Sequence, residues 1–173
     1  DTFYSLKFKL AESFSALGNF ESSVLLRREE LHWLQEAGRE DSADHCRSLL
    51  ALAEDLMFSS ELNEAEELAR RIISINDKEE LLDGDEVISA ISLLTRILVQ
   101  RGRYFEAIAS QRKVHYWFQE HNGSTDPETL ESANELAISL RETGELKEAD
   151  ALFRELLSAR QQVLEPSDFD IGR

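Results

Sequence analysis

The side chains best suited to metal chemistry in this sequence are four histidines and a single cysteine. His45 and Cys46 are neighbours, so on a helix their side chains diverge by about 100°. His115 and His121 are six residues apart and do not share a helix face, and His32 stands alone. A tetrahedral zinc site needs converging ligands at characteristic spacings, which these residues do not supply. We therefore predict no metal site and no cofactor.

Paired carboxylates are the other candidates for chemistry, since two neighbouring acids can act as general acid and general base. Such pairs include Glu29–Glu30, Glu66–Glu67 and Glu79–Glu80. Nothing around them predicts an apolar pocket that would shift their protonation, so we assign them to solvated surface. The sequence also lacks a phosphate-binding glycine loop, a nucleophile elbow and a metalloprotease helix motif. We predict no catalytic residue and no enzymatic activity.

The elements that carry these side chains repeat at a fixed interval of 42 residues. Four turn residues keep that interval without insertion or deletion: Gly18, Ser60, Gly102 and Gly144. Two residues after each turn lies a large apolar or aromatic residue, and five after it a small one: Phe20, Leu62, Tyr104 and Leu146, then Ser23, Ala65, Ala107 and Ala149. Self-similarity at a period of about 20 to 50 residues indicates a repeat array.

Each repeat is predicted to hold two amphipathic helices, because apolar residues recur at the spacing of one buried helix face. We place the eight helices at residues 2–17, 20–37, 43–59, 62–78, 85–101, 104–121, 127–143 and 146–164. The repeats then cover 1–42, 43–84, 85–126 and 127–168, and 169–173 would begin a fifth. Each small residue faces another twelve positions upstream, as Ala149 faces Ala137, which lets two helices approach closely. The predicted fold class is all-α.

The formal net charge is −16, from 35 acidic and 19 basic residues. Such a surface repels nucleic acid and anionic membranes, both of which attract Lys and Arg, so we predict neither as a partner. No apolar run reaches the roughly 20 residues that span a bilayer. The single cysteine, Cys46, cannot form an intramolecular disulfide and favours a reducing compartment. We expect a cytoplasmic location.

The fourth repeat resembles a tetratricopeptide repeat in the residues around its turn: Leu136-Ala137, Leu140, Gly144-Glu145-Leu146, Glu148-Ala149, Leu152-Phe153 and Leu156. The 42-residue period and the segment 126–130, Asp-Pro-Glu-Thr-Leu, resemble the longer variety found in kinesin light chains. HEAT and armadillo arrays have a similar period but lack the paired small residues. The resemblance implies a right-handed α-solenoid of antiparallel helix pairs, with about four units and eight helices. It is loosest in the first repeat, where Lys7, Arg27 and Glu30 replace the expected apolar residues.

In tetratricopeptide arrays the first helices of successive repeats line a concave surface, so the resemblance implies a partner-binding groove there. Its candidate residues mix apolar side chains with charges of both signs: Phe8, Glu12, Arg47, Leu50, Glu54, Met57, Ser92, Arg96, Val99, Asn134, Ile138 and Arg141. Family members that grip a C-terminal carboxylate use Lys, Asn and Arg at set inner positions, where this chain has Phe8, Glu12, Ala51, Ser89 and Leu93. We therefore do not expect this chain to bind the C-terminal carboxylate of a partner. We expect peptides with apolar anchors and a few charges of both signs.

Aromatic residues recur in the second helices. Trp33 and Trp117 occupy the same position two repeats apart, and the third repeat adds four more: Tyr104, Phe105, Tyr116 and Phe118. Such side chains usually fill the contact between one repeat and the next. The alternative is an exposed aromatic patch beside the basic cluster of residues 96–113, which would suit a partner.

The resemblance implies a non-catalytic scaffold or adaptor segment that binds a protein or peptide and forms part of a longer protein. Two alternatives stay open: a regulatory sensor module that controls an attached effector domain, and an accessory region of an enzyme whose catalytic domain lies elsewhere. The last helix is expected to leave four apolar residues uncovered, Leu152, Leu156, Ala159 and Val163. This predicts further repeats or a capping helix, and for the isolated segment self-association through this end.

Overall fold

A computed structural model describes residues 2–40 and 42–164, which form eight α-helices and no strand. The helices are α1 (Thr2–Ala16), α2 (Phe20–Glu36), α3 (Ala43–Phe58), α4 (Leu62–Glu79), α5 (Gly84–Gln100), α6 (Tyr104–Asn122), α7 (Pro127–Thr143) and α8 (Leu146–Leu164). Every end lies within one residue of the predicted position, and the all-α fold class is confirmed. The start of a fifth repeat, predicted at 169–173, lies outside the described residues. No described helix is long and apolar enough to cross a membrane.

The turns at the predicted interval all have left-handed backbone. The φ angles are 75° at Gly18, 67° at Ser60, 71° at Gly102 and 86° at Gly144. The residue after the turn donates its N–H back to the preceding helix in the same way in three repeats: Asn19 to Phe14, Glu61 to Leu56 and Glu145 to Leu140, each at 2.8 Å. These bonds satisfy helix-end carbonyls that would otherwise lack a donor. Ser60 adopts this conformation without the freedom of glycine, which costs about 1 kcal/mol or slightly more.

The first helices of the second, third and fourth repeats begin at side-chain caps. The side chain of Ser42 accepts a hydrogen bond from the backbone N–H of His45, and that of Asp126 accepts from the second and third residues of α7. Pro127 is the first residue of α7, as predicted, where a missing N–H leaves no bond unmade. Asp83 adds a capping box with Glu86 at the start of α5.

The chain divides into two compact units, residues 1–101 and 102–173. Unit 1 contains α1 to α5, and unit 2 contains α6 to α8. The division falls within the third predicted repeat, 85–126. The single array of four repeats therefore stays a prediction, and the units are described separately.

Within unit 1 the helix pairs are held at crossings of small residues. Ala11 and Ser23 are 1% and 0% exposed, and the Ser23 hydroxyl donates to the Ala11 carbonyl at 2.9 Å. Ala53 and Ala65 are fully buried at the equivalent place in the second repeat. Larger side chains fill the space on either side of these crossings: Leu49, Leu52, Leu56, Ile72, Leu93 and Ile97.

Unit 2 has its own apolar core. The core consists of Ile108, Leu136, Leu140 and Ala149, with Leu152 and Phe153 packed against it. Ala137, the predicted partner of Ala149, is 0% exposed. The helices α7 and α8 thus cross at a pair of small residues, as the helix pairs of unit 1 do.

The first repeat contains a buried charged pair where apolar packing was expected. Arg27 is 5% exposed, and its Nε donates to a carboxylate oxygen of Asp55 at 2.6 Å. Asp55, 1% exposed, also accepts from the hydroxyls of Ser15 and Ser23, each at 2.6 Å. Because these residues belong to α1, α2 and α3, the Asp55 carboxylate joins three helices. Arg27 therefore occupies the interior with a partner for its charge.

Candidate partner-binding faces

The first helices of the first three repeats lie side by side in unit 1. The bond from Ser15 to Asp55 links α1 to α3, and an ion pair between Arg47 and Glu86 links α3 to α5. In the second layer, Arg28 and Glu64 join α2 to α4 at 2.8 Å. We call the predicted groove residues on α1, α3 and α5 the inner face of unit 1: Phe8, Glu12, Arg47, Leu50, Glu54, Ser92, Arg96 and Val99.

The residues of the inner face differ in how much surface they offer. Glu12, Arg47 and Arg96 are exposed, whereas five others are half-buried: Phe8, Leu50, Glu54, Ser92 and Val99. Met57, predicted for the same surface, is only 5% exposed. Met57 is therefore a core residue beneath the face, because its side chain is covered within unit 1.

An arginine and two phenylalanines form a stack at one end of the inner face. The guanidinium carbon of Arg96 lies 5.6 Å from the centroid of the Phe58 ring, within the range of a cation–π contact. Phe58 in turn stacks on Phe20, with centroids 5.0 Å apart. Phe58 keeps 53% of its surface exposed. The stack positions a cation next to an accessible aromatic ring.

The sequence reasoning missed Phe58. Its repeat equivalents are Ala16, Gln100 and Glu142, so a phenylalanine stands where the other repeats have a small or polar residue. That departure was the available signal. The departure does not predict the contact of Phe58 with Arg96, because Arg96 lies 38 residues further along the chain.

Two half-buried carboxylates of unit 1, those of Glu54 and Glu30, have pKa values raised by burial. Burial raises the pKa of Glu54, while the charges of Arg96 and Arg27 oppose that rise. Burial likewise raises the pKa of Glu30, although a hydrogen bond from Ser48 at 3.1 Å opposes it. A partially desolvated carboxylate gains from any donor that a partner brings to it. Glu54, on the inner face, is therefore an electrostatic contact point beside Arg96.

Arg47 and Phe8 have partners within unit 1. Arg47 pairs with Asp44 at 3.2 Å and with Glu86 across the helices. These pairs are exposed, and exposed ion pairs contribute little stability, so a ligand could exchange with them at small cost. Phe8 lies under Arg27, whose guanidinium carbon is 5.8 Å from the ring centroid. Part of the Phe8 ring thus shields the buried Arg27–Asp55 pair.

Unit 2 contains the three remaining predicted groove residues, all on α7. Asn134 and Ile138 are half-buried, and Arg141 is exposed and pairs with the adjacent Glu142 at 2.8 Å. Spacings of four and three residues place them on one helix side. We call these three residues the α7 face.

The aromatic residues of the third repeat are divided between surface and interior. Phe105 is 78% exposed and Tyr116 is 63% exposed. Trp117 is half-buried, stacks on His121 with centroids 4.1 Å apart, and meets the edge of Phe118 at 5.3 Å. Phe105 and Tyr116 are therefore surface residues, and the two roles predicted for this group, in the contact between repeats and in partner binding, stay predictions.

The histidines lie in unrelated environments. His45 is fully buried, and His32 lies at the surface 3.4 Å from Glu36. Burial lowers the pKa of His115, with smaller opposing contributions from the backbone of Thr129 and the charge of Glu155. Among the residues that the structure describes, no three metal-ligating side chains of His, Cys, Asp or Glu come together.

Comparison with known proteins agrees with this architecture. The family model described as tetratricopeptide repeat matches residues 86–162. No protein with curated function aligns significantly with the chain.

Solved structures share the fold at low sequence identity. A protein of Podosopora anserina assigned as a kinesin light chain, with nearly identical TPR-like repeats, aligns with a TM-score of 0.73 and 21% identity, over 94% of this chain and 77% of that one. BtubC (BKLC) from P. vanneervenii aligns with a TM-score of 0.74 and 21% identity, over 92% of this chain and 63% of that one. MamA aligns with a TM-score of 0.66 and 14% identity, over 92% and 80%. At these identities the likeness establishes the helical-repeat fold alone.

Proposed function

We propose that this chain, whose residues 86–162 match the tetratricopeptide repeat family model, is a protein-interaction scaffold. An extended or helical segment of another protein lies on the inner face of unit 1. The α7 face of unit 2 forms a separate contact with the same class of ligand. The observation that carries this proposal is the exposed Arg96–Phe58 stack beside the half-buried carboxylate of Glu54.

The chemistry of the inner face defines the ligand. Leu50 and Val99 are half-buried, so each leaves apolar surface for a side chain of the partner to cover. Arg96 offers a cation, and Glu54 offers an acceptor that gains from a donor. The ligand that fits is a polypeptide with apolar anchors, an acidic group for Arg96 and a donor for Glu54.

The α7 face has the same mixture on a smaller scale. Ile138 supplies apolar surface, Asn134 can both donate and accept, and Arg141 is an exposed cation. We propose that it contacts a polypeptide through an apolar side chain flanked by a polar and an acidic group.

We also propose that this segment performs no catalysis and functions in the cytoplasm. Several of the described charged residues form surface ion pairs at separate places, such as Arg28–Glu64 and Arg112–Glu148, which supports a binding role. The single cysteine is buried, which supports a compartment where thiols stay reduced. Subcellular fractionation of the native protein tests the location.

Self-association through α8 is proposed with different residues from those predicted. Leu156 is 6% exposed and belongs to the interior of unit 2, so it is not available for contact. Leu152 and Ala159 are half-buried, and the side chain of Val163 lies outside the described residues. Leu146 and Leu157 are 62% and 63% exposed and lie eleven residues apart, on one side of the helix. We propose that these two leucines pair with a second copy of the chain.

The inner-face proposal is tested with selected peptides. A random peptide library is enriched on the wild-type chain, and dissociation constants of the enriched peptides are measured by fluorescence anisotropy. Arg96→Glu reverses the charge on the face and should weaken binding at least tenfold, and Leu50→Ala should weaken it less. The matched control is Arg71→Glu, which makes the same charge change at an exposed position of α4 in the other layer. Equal loss in both arginine variants would count against the inner face.

A further inference from the structure

Unit 2 contains a cavity that is separate from both proposed binding faces. It has a volume of about 260 Å³ and lies between α6, the following loop, the start of α7 and the second half of α8. Since about 10–15 Å³ of such volume holds one water molecule, the cavity has room for a long side chain. Its floor is apolar, formed by Leu130, Ala133, Leu152, Leu156 and Ala159.

Four positions of the lining have larger side chains at their equivalents in unit 1, which lie 84 residues earlier on α2, α3 and α4. Ala133 corresponds to Leu49, which is 2% exposed, and Ala159 corresponds to Ile75. His115 and Thr129 correspond to Leu31 and His45, which are 8% and 0% exposed. At three of these positions unit 1 has an apolar side chain, Leu31, Leu49 or Ile75, where unit 2 has a smaller or polar one, and at the fourth His45 stands in place of the smaller Thr129. The cavity in unit 2 follows from these substitutions.

Two polar side chains of the lining, those of His115 and Thr129, can accept a hydrogen bond. The hydroxyl of Ser132 donates to the Thr129 carbonyl at 2.8 Å, so its oxygen accepts from Nδ1–H of His115 at 3.2 Å. In the neutral ring, Nε2 of His115 is then an acceptor. Thr129 is 2% exposed, and its buried Oγ1 has no hydrogen-bond partner within the described structure. A buried hydroxyl without a partner costs free energy that a bound ligand would recover.

Glu155 gives the cavity its charge. Glu155 is the acidic residue among the described lining residues. It lines the cavity together with His115, whose pKa is lowered by burial. Acceptors at the walls, one carboxylate and an apolar floor suit a cation that carries several N–H donors on an aliphatic stem.

We propose that this cavity binds an arginine side chain of a partner polypeptide. The methylene stem packs on Leu130, Leu152 and Ala159, and the guanidinium donates to Glu155, Thr129 and His115. Arginine fits better than lysine because its planar guanidinium offers five donors to several acceptors at once. The site is independent of the inner face of unit 1.

The test is an NMR titration of the ¹⁵N-labelled full chain with N-acetyl-arginine N-methylamide at physiological salt. We expect saturable shifts confined to Thr129, the His115 ring and the part of α8 around Glu155. The citrulline analogue, which has the same shape without the charge, should bind at least tenfold more weakly. Butylguanidine carries the same single guanidinium charge without peptide groups, and tighter binding of butylguanidine than of the capped arginine would overturn the assignment to a polypeptide.

Variants locate the site. Ala133→Leu and Ala159→Ile introduce the residues that occupy the same positions in unit 1, and each should abolish the saturable shifts. Glu155→Gln should weaken binding at least tenfold, whereas Glu120→Gln, an exposed α6 carboxylate outside the lining, should not change it. Thermal melts identify any variant that is unfolded, and either cavity-filling variant alone suffices for the test. Unchanged binding in Glu155→Gln, or in a folded cavity-filling variant, would overturn the proposal.

Discussion

Asp55 of α3 accepts a hydrogen bond from Arg27 of α2 at 2.6 Å, and the two side chains are 1% and 6% exposed. Removing charges from water is expensive, and a buried pair is tolerated because each ion compensates the other. Ser15 and Ser23 satisfy further acceptor positions of the same carboxylate. The pair sets the register of α1, α2 and α3, since the partners come from three helices.

Loss of the Asp55 charge should destabilise unit 1 strongly. Asp55→Asn keeps the size of the side chain but leaves Arg27 charged and buried, which costs about 3–5 kcal/mol. Urea denaturation measures the loss. The control is Asp150→Asn, which breaks the exposed Asp150–Arg154 pair on α8 and should have no measurable effect. If both variants unfold at the wild-type urea concentration, the buried pair does not have the role described here.

The carboxylate of Glu54 should make stability depend on pH. Its pKa is raised in the folded state, so its stabilising contribution is complete below the ordinary value of 4.5 and is lost as pH rises through the folded-state pKa. Glu54→Gln should therefore melt at a higher temperature than wild type at pH 7, and this advantage should shrink as pH falls to 4. Glu12→Gln, an exposed change on α1, is the control. An equal gain at both pH values would contradict the assigned cause.

The crossing of α7 and α8 should reject a larger side chain. Ala149 is 3% exposed and lies in the unit 2 core, so Ala149→Leu should overpack it and cost about 1–3 kcal/mol. Ala151→Leu places the same side chain at an exposed position two residues away and should be nearly neutral. The free energy of unfolding of each variant provides the measurement. A stable Ala149→Leu protein would mean that the helices are not held by the small pair.

Replacing Ser60, whose backbone is left-handed, with glycine should raise the free energy of unfolding. Ser60 has a φ of 67°, and Ser60→Gly removes strain of about 1–2 kcal/mol while giving back about 0.5–1 kcal/mol through the freer unfolded chain. We expect a small net gain, up to about 1 kcal/mol, in thermal or urea unfolding. Ser59→Gly is the matched control, because Ser59 has a φ of −81° and should only lose stability. Destabilisation by Ser60→Gly would show that the turn is not strained.

Pairing of two copies through α8 should depend on Leu146 and Leu157. Sedimentation velocity at high protein concentration should reveal a dimer that Leu157→Glu abolishes, because a charge would be buried at the contact. Leu25→Glu, a change at an exposed leucine of α2, should leave the dimer intact. A monomer at all concentrations would exclude this contact.

The prediction of helices and turns succeeded because those features depend on residues that are close in sequence. Gly18, Gly102 and Gly144 permit the left-handed turn locally, and even Ser60 could be recognised from its place in the period. The small pairs, such as Ala137 and Ala149, followed from the same register once each turn had folded one helix onto the other. The candidate inner-face residues were likewise chosen by register, and their role in binding stays a proposal.

The sequence by itself determined the eight helices, their turns and the all-α class, because local backbone preferences and apolar spacing encode them. Tertiary structure decided that Arg27 pairs with Asp55, that Phe58 supports Arg96, that Met57 is covered, and that α8 exposes Leu157 rather than Leu156. Tertiary structure also decided where the cavity of unit 2 lies. The physical reason is that ion pairs, stacks and cavities depend on contacts between residues distant along the chain, and with 35 acidic and 19 basic residues many pairings agree equally well with the sequence.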